Sequence, residues 1–248
     1  MKNYSPCQMI FILAPFVLSF AFGLDIYIPI IPMMTEIFQT SPAKVQLTMS
    51  LFLLTSGVGQ LLIGPLSDRF GRRVIFFLAS SLYLISSLCC AFAPGINTLI
   101  FFRILTALGA CGLLVTAFAT VRDLYSSEES AKMYSLLNGA IGISPTFAPI
   151  IGGYLALYFG WQSVFFFLTF IGCFAFAFAG KFISETHPKE KRISFNWSIF
   201  SNYRSVITNR QFIAYSAIAG FSSGILFCFF SVSLRSTTRK KCQKTPGK

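Results

Sequence analysis

Two ionisable residues lie inside long apolar runs of this 248-residue chain and are the first candidates for chemistry. Asp25 interrupts the run over residues 9–33, and Arg103 lies within the run over residues 98–120. They lie about 8 and 5 residues from the ends of these runs, roughly 12 and 8 Å along a helix. Ionisable groups in membrane helices are unfavourable and usually functional. Adjoining helices could therefore pair the two, and the carboxylate could exchange a proton for a cationic or polar substrate. A static pair that only locks two helices together is the alternative.

A second group of charges occupies the ten-residue segment over residues 64–73, which joins two apolar runs. Gly64 and Gly71 allow a tight turn at a membrane surface, and Asp68 can accept hydrogen bonds or cap a helix N-terminus. Its basic residues are Arg69, Arg72 and Arg73, which we expect to hold the segment on an anionic membrane face. A generic basic loop would be the simpler interpretation, but the order G-x-x-x-D-R-x-G-R-R argues against it.

Glycine and proline are grouped in two later runs, where they shape helices. Gly109 and Gly112 are three residues apart, so both lie near one helix face and permit close helix approach. Pro145 and Pro149 each remove a backbone hydrogen bond, and flanking glycines make a kink tolerable. Those glycines are Gly142, Gly152 and Gly153. Such kinks allow helices to rock between inward-facing and outward-facing states. Plain helix packing is the alternative.

The composition identifies the environment in which these residues act. Hydrophobic residues make up 54% of the chain and charged residues 11%, and the mean hydropathy is +0.69. Soluble domains usually carry about 25% charged residues, so an ordinary soluble enzyme or nucleic-acid-binding domain is excluded. The net charge of +12 does not change this, since the last fourteen residues supply six of the basic residues and no acid. The sequence predicts an all-α polytopic membrane protein.

Seven apolar segments are long enough to span a bilayer, which needs about 20 residues. The predicted spans cover residues 9–33, 45–67, 74–93, 98–120, two helices within 133–180 that meet at a turn over 159–162, and 211–234. Basic residues concentrate in the loops on one side of the first six spans, with twelve there against Lys44 on the other. The positive-inside rule therefore places the N-terminus in the cytoplasm. A chain with seven spans and a cytoplasmic N-terminus would place the basic tail outside the cell, which contradicts the positive-inside rule.

Taken together, these motifs resemble the major facilitator superfamily. The segment over residues 64–73 is similar to the loop between its second and third helices. The first span has Asp25, Tyr27, Pro29 and Pro32 in a D-x-Y-x-P-x-x-P order that resembles the Bcr/CflA drug:proton antiporters. The fourth span has Arg103 with the two glycines, and the fifth resembles the antiporter motif of that helix. Members of this branch export drugs such as bicyclomycin, chloramphenicol and sulfonamides.

The resemblance implies a fold and a function for each part of the chain. Residues 1–183 would form the N-terminal six-helix bundle, 184–210 a cytoplasmic interdomain linker and 211–234 one helix of the second half. Asp25, Tyr27 and Arg103 would carry proton coupling and line the cavity. The expected function is proton-coupled multidrug efflux across the bacterial inner membrane, driven by the proton gradient with no other cofactor and no metal. The expected partners are lipid, protons, a small hydrophobic or cationic drug-like substrate and a complementary C-terminal half.

The chain departs from the family in length, because twelve spans of about 20 residues would need roughly 240 residues before any loop. After Leu234 the composition changes abruptly to a basic tail over residues 235–248. We therefore expect a tail that arose by frameshift or truncation, and transport by the chain alone is in doubt. The alternative is a membrane interaction protein without transport, or a pseudogene remnant. Neither an enzyme nor a nucleic-acid-binding role is expected.

Overall fold

Long helices make up the part of the chain that the computed structural model describes, which is residues 6–183, 208–218, 220–222 and 224–225. The elements are α1 (Pro6–Asp25), a 3-10 turn (Ile28–Ile30), α2 (Ile31–Ile37), α3 (Pro42–Phe70), α4 (Arg72–Ala91), α5 (Ile96–Leu124), α6 (Ser127–Phe159) and α7 (Gln162–Phe182). Six segments among the described residues are long and apolar enough to cross a membrane, with α1, the 3-10 turn and α2 counted as one. The predicted all-α membrane fold is confirmed.

The helices are joined by very short turns, so most spans run further than the sequence predicted. Gly71 alone separates α3 from α4, and its φ of +97° is one that only glycine adopts easily. The predicted loop over residues 64–73 is therefore mostly helical. At the start of α6, Ser126 and Glu129 form a capping box, which satisfies free backbone N–H groups of the first turn.

The first span is interrupted between Asp25 and Ile28. Pro29 and Pro32 explain the break, because neither can donate the backbone hydrogen bond that would continue α1 through this region. The chain turns through a three-residue 3-10 segment before it resumes as α2. The sequence predicted one continuous span here, and the structure shows a discontinuous one.

Helix α5 lies at the centre of the first unit of the chain and packs against α1, α3, α4 and α6. Its closest crossing is with α4, where Gly109 and Gly112 both face Ala79. A Cβ atom at Gly109 would lie 2.6 Å from the backbone nitrogen of Tyr83, and one at Gly112 would lie 2.7 Å from Ala79 Cβ. The two glycines therefore let the helix backbones approach each other directly.

Helix α6 continues without interruption through Pro145 and Pro149. Its glycines have different surroundings: a Cβ at Gly142 would meet nothing within 4 Å, and one at Gly153 would just reach Pro29. A Cβ at Gly152 would overlap the carbonyl oxygen of Ile26. Gly152 therefore allows α6 to lie directly against the break in the first span.

Several predicted segments fall wholly or partly outside the described residues. These are the linker up to residue 207, the end of the seventh span and the tail over residues 235–248. Within the seventh span, residues 211–218, 220–222 and 224–225 are described and are helical. They belong to a second unit of the chain, which begins at Phe195.

The α4–α5 crossing generates a test of packing. Gly109→Ala places a methyl group against the backbone of α4, so we expect it to destabilise the bundle by about 1–3 kcal/mol. Gly139→Ala is the matched control, because the same methyl group on helix α6 meets nothing within 4 Å and alanine is the better helix former. Thermal unfolding of the purified chain in detergent should show a lower Tm for the first variant only. Equal Tm values would show that the crossing is looser than described.

Candidate functional site

The guanidinium group of Arg103 lies fully buried in the middle of the first unit, with 0% of the residue exposed. One terminal nitrogen, Nη1, donates a hydrogen bond of 2.7 Å to the carbonyl oxygen of Gly23. Gly23 belongs to the last turn of α1, where carbonyl groups have no partner within the helix. The guanidinium carbon also lies 4.6 Å from the ring centre of Tyr27 and 4.5 Å from that of Phe52, both within cation–π distance.

Asp25, the last residue of α1, is also buried, with 4% of the residue exposed. Its carboxyl group faces α6, where the Ser144 hydroxyl approaches it without reaching full hydrogen-bond geometry. The C-terminal end of a helix carries a partial negative charge. The carboxyl group and the end of α1 therefore form one locally negative site beside α6.

Asp25 and Arg103 do not form the expected ion pair. None of the ion pairs among the described residues joins them, although their helices adjoin. The reason is the periodicity of α1: Gly23 and Asp25 are two residues apart and so point roughly 200° away from each other around the helix. Gly23 lies close to Phe52 and Tyr83, on the side that Arg103 reaches, whereas Asp25 points towards α6.

Tyr27 lies two residues after Asp25 in the chain and packs against Arg103. It directly precedes the 3-10 turn, its ring faces Arg103, and its own surroundings include Phe165 of α7 at 6.0 Å between ring centres. The structure thus brings Tyr27 and Arg103 into contact, whereas the Asp25 carboxyl group points towards α6.

A second cluster of charges, the charged cluster, lies where the ends of α3 and α5 meet the start of α4. Arg72 is its centre, with 1% of its side chain exposed. It contacts Asp68 at 2.5 Å, Asp123 at 2.8 Å and the Ser67 hydroxyl at 2.7 Å. Arg122 lies at the edge, 3.9 Å from Asp68 and 4.0 Å from Asp123. The cluster ties three helices together through one buried cation.

Two expectations for this segment are corrected. Arg72 does not hold the segment against lipid headgroups, because it is buried between two carboxylates. Asp68 does not cap a helix N-terminus, because it lies in the last turn of α3 and pairs with Arg72 instead. The other two arginines contact neighbouring rings: Arg69 lies 5.2 Å from the Phe70 ring centre and Arg73 lies 5.8 Å from that of Phe77. Gly64 is an ordinary helical residue with open space beside it.

The sequence analysis missed several residues of both groups. Asp123 could have been found, because it follows the fourth predicted span on the same side of the membrane as Asp68. Ser144 could have been found as well, since it lies between Gly142 and Pro145. Phe52 gave no signal, because it is one of 30 phenylalanines. The role of Gly23 depends on its carbonyl group, which residue type does not reveal.

Comparison with known proteins identifies the family. Residues 13–238 match the sequence profile of the Major Facilitator Superfamily. The chain belongs to this superfamily. It is 33% identical over 232 residues to a chloramphenicol resistance protein of Pseudomonas aeruginosa, an alignment that covers 93% of this chain and 54% of that protein. It is 31% identical over 230 residues to a bicyclomycin resistance protein homolog of Haemophilus influenzae, covering 92% and 58%.

A solved superfamily structure shows the same fold. The human organic anion transporter MFSD10 superposes with a TM-score of 0.64 at 17% identity, over 79% of this chain and 52% of that one. The chain therefore spans about half the length of the superfamily relatives that it matches. In these terms, it is a multi-span membrane protein of a transporter superfamily.

The charged cluster generates a prediction about stability. Asp123→Asn removes a charge-assisted hydrogen bond from the buried Arg72, so we expect a loss of about 1.5–3 kcal/mol. Glu128→Gln is the control, because Glu128 pairs with Lys132 on the surface, where the two side chains are 82% and 72% exposed and such pairs contribute little. Unfolding in detergent, followed by tryptophan fluorescence, compares the two variants. A similar effect of both would show that Arg72 does not depend on Asp123.

Proposed function

We propose that this chain is the N-terminal part of a proton-coupled exporter of small drug-like molecules in the bacterial inner membrane, with its N-terminus in the cytoplasm. The observation that carries the proposal is Asp25. It is a buried carboxyl group at the break of a membrane span, and no described basic residue forms an ion pair with it. Buried acids of this kind in membrane helices commonly mark proton or ion pathways.

The geometry around Asp25 favours exchange over a static structural role. If Asp25 formed an ion pair with Arg103, its negative charge would be balanced within the protein. Protonation of Asp25 would then have to break that ion pair. Asp25 lies at the negative end of α1 beside the Ser144 hydroxyl, so a proton or a cationic group can neutralise it. Competition between the two for one carboxylate would couple substrate release to proton entry, with the proton gradient as the energy source.

The relatives support the substrate class. Two of them are named for resistance to chloramphenicol and to bicyclomycin. Because this chain spans 54–58% of their length, we propose that transport also involves a complementary C-terminal half, which would supply the other side of the substrate pathway.

A membrane interaction protein without transport is the second candidate. It is favoured by helices α3 and α6, in whose most apolar windows only 22% of the residues are buried, against 61% in the first span and in α5. Such faces need lipid or another membrane protein to cover them. This candidate requires no function of Asp25, so the same experiment separates the two.

The proposal predicts that Asp25→Asn abolishes efflux, because an amide cannot exchange a proton. The chain would be produced in a bacterium that lacks its own drug exporters, alone and together with the C-terminal half of the P. aeruginosa relative. Accumulation of radiolabelled chloramphenicol is then measured with and without an uncoupler. We expect the wild-type chain to lower accumulation in the absence of the uncoupler in at least one of the two settings.

Glu36→Gln is the matched control, since Glu36 is an exposed acid on α2, in the same span as Asp25. It should retain efflux while Asp25→Asn loses it, at equal amounts of protein in the membrane. Efflux that survives Asp25→Asn would refute the role of this carboxyl group. No efflux in either setting, with the chain correctly inserted, would favour the interaction protein.

A further inference from the structure

Arg103 keeps two of its nitrogen atoms without a partner, although the residue is completely buried. Among the described residues, neither Nε nor Nη2 has a hydrogen-bond acceptor. An arginine side chain stays charged in proteins, and buried donors without acceptors are rare and unfavourable. The structure therefore holds a buried cation whose hydrogen-bonding capacity is only partly used.

The structural role of Arg103 does not account for these two nitrogens. The hydrogen bond from Arg103 to α1 is made by Nη1, which donates to the carbonyl oxygen of Gly23. A lysine ammonium group could donate the same single hydrogen bond to the Gly23 carbonyl oxygen, so this bond alone does not require an arginine. The remaining side of the guanidinium group, Nε together with Nη2, presents parallel N–H groups in the arrangement that matches the two oxygens of a carboxylate.

Aromatic rings pack against the guanidinium group of Arg103. Tyr27 and Phe52 lie within 4.6 Å of the guanidinium carbon, and the ring of Tyr83 adjoins Phe52 at Gly23. The rings attract the cation but do not accept hydrogen bonds from its Nε and Nη2 groups. The nearby acid Asp25 does not accept them either, because it points towards α6. Aromatic walls with one cationic fork suit a flat apolar body with a single carboxylate.

We propose that the Nε and Nη2 edge of Arg103 binds the carboxylate group of a small aromatic molecule. The inference rests on the proposed function, because it names one substrate group for the same buried site. It goes beyond the expected hydrophobic or cationic substrate by assigning an anionic group to Arg103. Tyr27, next to the 3-10 turn of the broken span, packs against the guanidinium group and would form one side of the proposed site.

Binding to the purified full chain tests the proposal without requiring transport. The probes are benzoate and benzamide, which share a shape but differ in charge, measured by isothermal titration calorimetry in lipid nanodiscs at neutral pH. We expect the wild-type chain to bind benzoate at least about tenfold more tightly than benzamide, because two hydrogen bonds to a charged group are added. Equal or undetectable binding of both probes by a folded wild-type chain overturns the proposal.

Arg103→Lys and Lys44→Gln are the paired variants. The lysine variant keeps a cation able to reach the Gly23 carbonyl but lacks the planar fork, so its preference for benzoate should fall at least about tenfold. Lys44 is an exposed cation at the start of α3, and its loss should leave the preference unchanged. A preference that survives Arg103→Lys, or that disappears in Lys44→Gln, overturns the assignment. Drug efflux without benzoate binding would refute this inference alone, and benzoate binding without efflux would refute the proposed function alone.

Discussion

The break in the first membrane span, between Asp25 and Ile28, is the constraint on which the rest of the site depends. Inside a bilayer every backbone polar group needs a partner within the protein. Pro29 and Pro32 withdraw two donors from this region, so carbonyl groups at the end of α1 must accept hydrogen bonds from donors elsewhere in the protein. Arg103 supplies one of them at Gly23, and Gly152 gives α6 the room to lie against the carbonyl of Ile26. A broken helix thus determines where a cation and a glycine must be.

The two buried arginines of the bundle illustrate opposite uses of one side chain. Arg72 lies between Asp68 and Asp123 and also donates to Ser67, so its charge is matched and its role is to join helices. Arg103 has one carbonyl group and two rings, and no described acid forms an ion pair with it. Removing a partner from a matched pair mainly affects folding. A buried cation with unused donors retains attraction for an anionic group, and this is the basis of the role proposed for Arg103.

Much of the fold could be predicted from sequence, because apolar length and basic loops report directly on the bilayer. Seven spans were predicted, and the structure shows six candidate spans among the residues that it describes. Residue type alone also singled out Asp25, Arg103 and the segment over residues 64–73 as candidates. The pairing of Asp25 with Arg103 was wrong, since depth along a helix does not give the direction of a side chain. The acceptor at Gly23 and the ring of Phe52 could not be predicted, because a backbone carbonyl and one phenylalanine among 30 carry no distinguishing pattern.

The packing also indicates which part of the site can change its shape. Helices α4 and α5 meet with their backbones nearly in contact at Gly109. Helix α7 is similarly close to α4, since a Cβ atom added at Gly172 would lie 3.1 Å from the Cα atom of Leu84. Backbones this close leave no gap for sliding, and packed interiors transmit shifts rather than absorb them. Arg103 therefore lies on a helix that is closely packed against its neighbours. The first span differs, since its 3-10 turn joins two separate helices and carries both Asp25 and Tyr27 at its edge. If Asp25 exchanges protons as proposed, movement of the broken span would link that exchange to access to Arg103.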